Sequence, residues 1–290
     1  MSIKNVSFIG LGVMGYPMAG HLQNNGYNVT VYNRTTAKAE KWVEEYNGSM
    51  AITPGEASQD SEIVFICVGR DEDIIEVMES ENGILSKVAE GTIIVDHTTA
   101  SAEIARNYYQ KLKDKKLSFL DAPVSGGQAG AENGVLSIMI GGDEKDYNLV
   151  KPVLTSYGKA VELIGPSGSG QIAKMINQIC IAGLVQGLSE AMAFGKKSNV
   201  DMEKVLSVIS KGAAQSWQME NRYRTMLDGK FDYGFAVDWM RKDLSICFNE
   251  ADKNGAMLPV TKIVDKYYEE VQKNGGNRFD TSSLMTLVDK

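Results

Sequence analysis

Near the N-terminus the run Val6-Ser7-Phe8-Ile9-Gly10-Leu11-Gly12-Val13-Met14-Gly15 leads directly into Tyr16-Pro17-Met18-Ala19-Gly20-His21-Leu22. Val6, Phe8 and Ile9 read as a buried strand, the glycines as a tight turn, and Met14, Met18 and Leu22 as the packed face of a helix. Gly10, Gly12 and Gly15 fill the G-x-G-x-x-G spacing, which brings backbone N–H groups and a helix N-terminus up to a pyrophosphate. Glycines also serve ordinary turns, so the flanking strand and helix carry the reading. Gly10, Leu11, Gly12, Val13, Met14 and Gly15 are therefore expected to cradle a dinucleotide.

The following segments extend that unit. Tyr27–Tyr32 reads as a second strand, completing a βαβ unit. An acidic residue closing it would take the ribose hydroxyls of NAD and repel a 2′-phosphate. Asn33-Arg34-Thr35 stands there instead, and an amide, a guanidinium and a hydroxyl can receive a phosphate. NADP is thus expected in preference to NAD. Ile63–Val68 is a continuous apolar run, as a central parallel strand should be, and its end at Val68 is expected to face the cofactor. The strand Thr92–Asp96 runs into His97-Thr98-Thr99. Thr98 either reaches the cofactor or caps a helix. No partner is placed near His97 by spacing, so it reads as a core histidine and not a base.

Further on, the strand Leu117–Asp121 is followed by Ala122-Pro123-Val124-Ser125-Gly126-Gly127. A hydroxyl followed by two unobstructed N–H groups suits a carboxylate, although a plain Ser-Gly-Gly turn fits equally. Strands follow at Leu136–Ile140 and Ala160–Ile164, with a helix near 147–157 between them. Residues 1–164 are read as a Rossmann-type dinucleotide-binding domain with a mainly parallel sheet. Gly165–Gly170 breaks regular structure, and a long helix runs from about 171 to 196, joining the first domain to an all-α domain spanning 165–290. On that helix Lys174, Asn177, Gln178 and Ile181 share one stripe. The macrodipole opposes protonation of a lysine near a helix start, so Lys174 is either a tuned proton donor or an exposed cation. Beyond Asn199 only helical patterns occur. Trp217, Phe231, Phe235 and Trp239 read as core, and Arg241 and Lys242 as solvated by default.

Composition narrows the classes. With 43% hydrophobic and 23% charged residues the chain reads as globular, and a net charge of −7 offers no general attraction to nucleic acid or anionic membrane. Cys67, Cys180 and Cys247 are scattered in apolar surroundings, which suggests buried thiols, no disulfide framework and no metal site. No run of 18 or more apolar residues and no signal peptide are read, so no membrane association and a cytoplasmic location are expected.

Four spaced stretches together resemble the β-hydroxyacid dehydrogenase family, which includes 3-hydroxyisobutyrate dehydrogenase, tartronate semialdehyde reductase and glyoxylate/succinic semialdehyde reductases. They are Gly10–Gly15 with Met18-Ala19, Asp121–Gly127, Gly165–Lys174 with Asn177, and Lys242-Asp243-Leu244. The resemblance covers essentially the whole chain. It implies Lys174 as the catalytic proton donor and acceptor; Ser125, Gly126 and Gly127 as the loop holding a substrate carboxylate; Asn177 and Gln178 as polar substrate contacts; and Lys242 near the nicotinamide. It also implies a homodimer or homotetramer formed through the helical domain. The substrate is then a small carboxylate-bearing aldehyde or hydroxyacid. Asn177-Gln178 resembles tartronate semialdehyde reductases and Asn33-Arg34-Thr35 the NADP-using reductases, which favours reduction of an aldehyde acid. Oxidation of 3-hydroxyisobutyrate is an alternative direction. Imine reductases usually lack the lysine, 6-phosphogluconate dehydrogenases have a longer C-terminal domain, and a non-catalytic NADPH-binding module would be expected to have lost Lys174.

Overall fold

A computed structural model of the chain describes residues 3–289, and by compactness the chain forms two units, Met1–Lys174 and Met175–Lys290. The first opens with β1 (Asn5–Ile9), α1 (Gly15–Asn24), β2 (Asn28–Tyr32), α2 (Thr36–Tyr46), β3 (Ser49–Met50) and α3 (Pro54–Ser58). It continues with β4 (Ile63–Ile66), α4 (Asp71–Glu79), β5 (Ile93–Asp96), α5 (Ala102–Lys113), β6 (Ser118–Asp121) and β7 (Val124–Ser125). Then come α6 (Gly127–Glu132), β8 (Leu136–Gly141), α7 (Glu144–Leu154), β9 (Gly158–Gly165) and the first residues of α8 (Ser169–Lys197).

Among the described residues these strands form one sheet ordered β3-β2-β1-β4-β5-β6-β8-β7, with β9 also paired to β8. Neighbours from β3 to β6 are parallel; β8 is antiparallel to β6 and β7, and β9 is parallel to β8. Strand order reverses between β1 and β4, the place where open parallel sheets receive ligands beyond their carboxyl ends. Both faces are covered. Phe8 and Phe65 enter one core cluster, while their neighbours Ile9 and Ile66 enter the other, as the period of two in a strand demands. This explains why β4 and β5 bury every residue and lack polar alternation.

His97 lies just past β5 and is 2% exposed. A carbonyl can only accept, so Nδ1–H donates to Ala122 O at 2.6 Å and Nε2 accepts from the Tyr157 hydroxyl at 2.8 Å. Its ring also stacks on Phe65, with an interplanar angle of 4°. The expected core histidine is found, fully satisfied as a neutral ring.

In the second unit α8 is followed by α9 (Met202–Ile209), α10 (Trp217–Leu227), α11 (Val237–Asn254), α12 (Pro259–Lys273) and the short α13 (Met285–Val288). Helix ends follow local chemistry. The Asp201 and Ser216 side chains accept N–H groups at the starts of α9 and α10, and Gly255 ends α11 in the left-handed region at φ 77°. Pro259 opens α12. Ala182, Val185, Met240, Leu244, Val264 and Tyr268 share one core cluster. By length and composition α8 is apolar enough to cross a bilayer. Its Ala182, Val185 and Met192 are, however, buried among the helices of its own unit, and Lys174, Asn177 and Gln178 interrupt the apolar run.

Two sequence expectations need correction. Phe231 is core, but Trp217 is 43% exposed because its ring packs on the Arg222 guanidinium, 4.8 Å away, and not into a cluster. Cys180 is exposed and Cys67 half-buried, leaving only Cys247 as a buried thiol; helical phase turns Cys180 outward although its neighbours in sequence are apolar.

Burial pushes the His97 value down from 6.5 to about 4 and the Asp96 carboxyl up from 3.8 to about 7. His97 therefore favours the folded state above about pH 6.5, and that contribution is lost as pH falls towards 4; the Asp96 contribution is present below about pH 4 and lost as pH rises through 7. The two offset each other. Replacing His97 removes one of them, so in urea unfolding the stability gap between wild type and His97→Gln should shrink by about 3 kcal/mol between pH 7 and pH 4. A gap independent of pH would contradict the buried neutral imidazole.

Candidate functional site

The glycine turn sits between β1 and α1. Gly10 has φ 102° and its N–H donates to Tyr32 O at 2.9 Å, and a Cβ added there would overlap the Cys67 carbonyl oxygen. At Gly15 a Cβ would overlap the Gly10 carbonyl oxygen. These two glycines close the turn. Gly12 differs: a Cβ built there meets no protein atom within 4 Å, so the space that it leaves open lies outside the fold. An open glycine beside a helix start that carries no acidic residue in its first turn suits a pyrophosphate. Val13 is 63% exposed at the same turn.

Asn33 is bound into this turn. Its Oδ1 accepts from the Leu11 N–H at 2.9 Å and its Nδ2 donates to Thr35 O at 3.0 Å. An aspartate could accept the Leu11 N–H equally well but could not donate to Thr35 O, so the amide changes both the charge and that second bond. Arg34 is exposed, its guanidinium 3.9 Å from Asp73 and 3.8 Å from Glu76 of α4. At the next strand ends, Val68 N–H donates to Thr98 Oγ1 at 3.1 Å. Thr98 is 1% exposed, so its hydroxyl is used within the protein, holding the loop after β4 to the loop after β5.

Lys174 is buried in the first turns of α8, and its Nζ donates to Val124 O at 2.8 Å. The next residue is Ser125, so the structure brings the lysine to the edge of the Ser125-Gly126-Gly127 segment. That segment is more regular than its sequence suggests. Val124–Ser125 pairs antiparallel with β8, and Gly127 starts α6, while Gly126 and Gly127 adopt φ 137° and 63°. Only glycine adopts two such conformations in succession without strain.

The start of α8 is held by a residue to which sequence reading assigned no role. Asp121, fully buried at the end of β6, accepts Gly168 N–H at Oδ1 (2.7 Å) and Gln171 N–H at Oδ2 (3.0 Å). Burial raises the Asp121 carboxyl above its ordinary value, and the backbone N–H groups oppose that rise. The available signal was an acidic residue ending an otherwise apolar strand.

In the second unit, Asn177 Nδ2 donates to Gln178 Oε1 and Gln178 Nε2 donates to Asp243 Oδ2, both at 2.7 Å. Lys242 Nζ lies 2.9 Å from Asp243 Oδ1 and 5.8 Å from the centre of the Trp239 ring. Asn177, Gln178 and Lys242 are thus joined through Asp243, which is 2% exposed. Solvation is not the state of Lys242 or of Arg241, which forms a forked pair with Asp265 at 3.0 and 3.2 Å. The sequence did carry a sign of Asp243: it shares the buried face of α11 with Met240, Leu244 and Cys247. Burial, followed by the nearby Asp243 charge, pushes the Cys247 thiol up to about 12.

Comparison with known proteins bears on the family and the fold. The sequence profile of the NAD binding domain of 6-phosphogluconate dehydrogenase matches residues 5–165, and that of the NAD-binding region of NADP-dependent 3-hydroxyisobutyrate dehydrogenase matches residues 168–288. An uncharacterized oxidoreductase of Shewanella frigidimarina is 58% identical over 99% of both chains. The 2-hydroxy-3-oxopropionate reductase of Escherichia coli is 32% identical over 98% of both. The solved 3-hydroxyisobutyrate dehydrogenase of Mycobacterium tuberculosis with L-serine shares the fold at a TM-score of 0.88, with 23% identity and 100% of both chains covered.

The two kinds of glycine should separate on substitution. Gly12→Ala, facing open space, is expected to leave stability within about 0.5 kcal/mol while weakening NADPH and NADH binding measured by fluorescence. Gly15→Ala is expected to lower the melting temperature as well. Undiminished nucleotide binding in Gly12→Ala would remove the turn from the cofactor site.

Proposed function

We propose that this chain, which belongs to the β-hydroxyacid dehydrogenase family of pyridine-nucleotide oxidoreductases, interconverts a small β-hydroxyacid and its aldehyde acid with NADP(H), acting mainly as a reductase that prefers NADPH to NADH. The observation that carries the reading is the buried Lys174 ammonium bonded to the carbonyl beside Ser125-Gly126-Gly127. The lysine read here as the proton donor thereby adjoins the segment read here as the carboxylate loop.

When bound, the nicotinamide supplies the hydride for the carbonyl carbon. Lys174 Nζ gives a proton to the carbonyl oxygen during reduction and takes it back during oxidation. Ser125 Oγ and the N–H groups of Gly126 and Gly127 hold the substrate carboxylate, fixing the carbonyl relative to Lys174. Asn177 and Gln178 add polar contacts to the substrate, and Lys242, held by Asp243, serves the nicotinamide end of the cofactor. Gly10 to Gly15 hold the pyrophosphate. Arg34 and Thr35, with neutral Asn33 beside them, receive the 2′-phosphate, and Val68 lines the cofactor at the strand ends, its loop held in place by the buried Thr98, which does not itself reach the cofactor. The substrate class follows from the carboxylate loop and from the Asn177-Gln178 pair, and 2-hydroxy-3-oxopropionate is the named substrate of one relative.

The proposed setting is the cytoplasm, where an exposed free thiol such as Cys180 stays reduced. Exposed Ile176, Leu184 and Phe194 on α8, with Val260 and Ile263 on α12, support a homodimer or homotetramer built on the helical unit. Light scattering that gives a monomer mass at micromolar concentration would reject that assembly.

Activity tests the chemistry. Oxidation of NADPH and NADH would be followed with 2-hydroxy-3-oxopropionate, succinic semialdehyde, glyoxylate and methylmalonate semialdehyde. Lys174→Ala is expected to lose roughly 100-fold to 10,000-fold in kcat while still binding NADPH. Turnover equal to wild type would sink Lys174 as the acid. Arg34→Ala is expected to raise the KM for NADPH about tenfold, with little change for NADH; equal effects on both would reject the phosphate role.

A further inference from the structure

The first turn of α8 is tied to two strand ends at once. Through its backbone, Gln171 donates to Asp121 at the end of β6. Its side chain, 1% exposed, reaches the segment that follows β5: Nε2 donates to Thr98 O at 2.7 Å, and Oε1 accepts from Ala100 N–H at 3.1 Å. Thr98 in turn holds Val68 after β4 through the bond from the Val68 N–H to Thr98 Oγ1. Lys174 stands nearly one helical turn beyond Gln171, and its Nζ meets Val124 O. One amide therefore connects the strand ends assigned to the cofactor with the base of the helix that carries the lysine.

We propose that Gln171 is a positioning residue for Lys174, its side-chain amide fixing the first turn of α8 against the Thr98–Ala100 segment. The proposal rests on the reading of Lys174 as the proton donor. The two partners of Gln171 are of opposite kind, a carbonyl acceptor and an N–H donor, so the side chain needs a donor and an acceptor in one plane, and a flipped amide would lose both bonds. A neutral group also suits the place, since the buried carboxyls of Asp121 and Asp96 are close by on adjacent strands. Misplacing a reacting group by about 1 Å can cost on the order of 100-fold in rate.

Gln171→Glu and Gln171→Leu in the full chain test this. When ionised, the introduced carboxylate keeps the bond from Ala100 but turns an oxygen towards the Thr98 carbonyl; when protonated, its hydroxyl donates there as the amide does. The charged groups on the elements packed around it are Asp121 of β6, Asp96 of β5, Asp71 of α4, which holds Ser101 beside Ala100, Arg106 of α5, which packs on Gly168, and Lys174 of α8 itself. At pH 8, Gln171→Glu is expected to show kcat lowered about 10-fold to 100-fold, NADPH affinity within about twofold of wild type, and about tenfold faster hydrogen exchange in residues 168–176. As pH falls to 6, the ratio of variant to wild-type kcat should rise and exchange should slow. Gln171→Leu should show the defects without the recovery. If the leucine variant does not fold, the pH reversal in Gln171→Glu decides alone.

A kcat ratio and an exchange rate that do not change with pH would overturn the proposal, as would parallel loss of NADPH binding and of global stability at every pH. If wild type turns over no aldehyde while exchange at the start of α8 still follows protonation of the introduced group, the positioning role stands and the reading of Lys174 as the acid falls.

Discussion

The contact on which the candidate site depends is a buried carboxylate meeting a helix N-terminus. Asp121 has no exposed surface, and an isolated ionised carboxylate in such a place would be strongly disfavoured. The N–H groups of Gly168 and Gln171 and the positive end of the helix dipole offset that cost. The same contact fixes where the longest helix begins. Since Lys174 lies in the first turns of that helix and Val124 lies just past Asp121, the bond between Lys174 and Val124 is set by the same strand end.

The architecture was largely legible because it is written in periodicity and turn chemistry. Apolar runs at Ile63–Ile66 and Ile93–Val95 are sufficiently free of alternation to mark strands covered on both faces. The long helix near 171–196 follows from its uninterrupted helical pattern after the glycine break at Gly165–Gly170. Less visible was the regularity around Ser125. Two residues of strand and a helix that begins at a glycine are each too short to carry a period, and they exist because Val124 and Ser125 pair with Ile138 and Ser137 of β8.

The structural part played by residues of the candidate site was legible where a local motif defines it and not where it lies in a distant partner. The turn glycines belong to the first kind. Asp121, Gln171 and Asp243 belong to the second, since each takes its role from groups far away in sequence: residues 168 and 171 for Asp121, residues 98 and 100 for Gln171, residue 178 for Asp243. Thr98 lay between the alternatives offered for it, because its hydroxyl serves Val68 and its carbonyl serves Gln171. Lone side chains were misjudged for a related reason. Whether Trp217 packs inward depends on Arg222, which lies beside it on α10 and also stacks on Tyr233.

The loop before the long helix has a meaning of its own. Gly165 and Gly168 precede α8 and Gly170 lies in its first turn, much as Gly10 and Gly12 precede α1 and Gly15 opens it, and Gly168, like Gly10, adopts a positive φ, here 89°. A Cβ at Gly170 or at Gly141 would run into the Asp121 side chain, so these glycines clear a space of carboxylate size. The chain therefore contains two anion cradles of related construction. One is open at Gly12 and is the place proposed for the cofactor pyrophosphate; the other is filled by an aspartate from the protein's own sheet. Seen this way, the second cradle is an internal ligand complex, and any residue larger than glycine at 141 or 170 would act on the lysine helix as a competing ligand acts on a binding site.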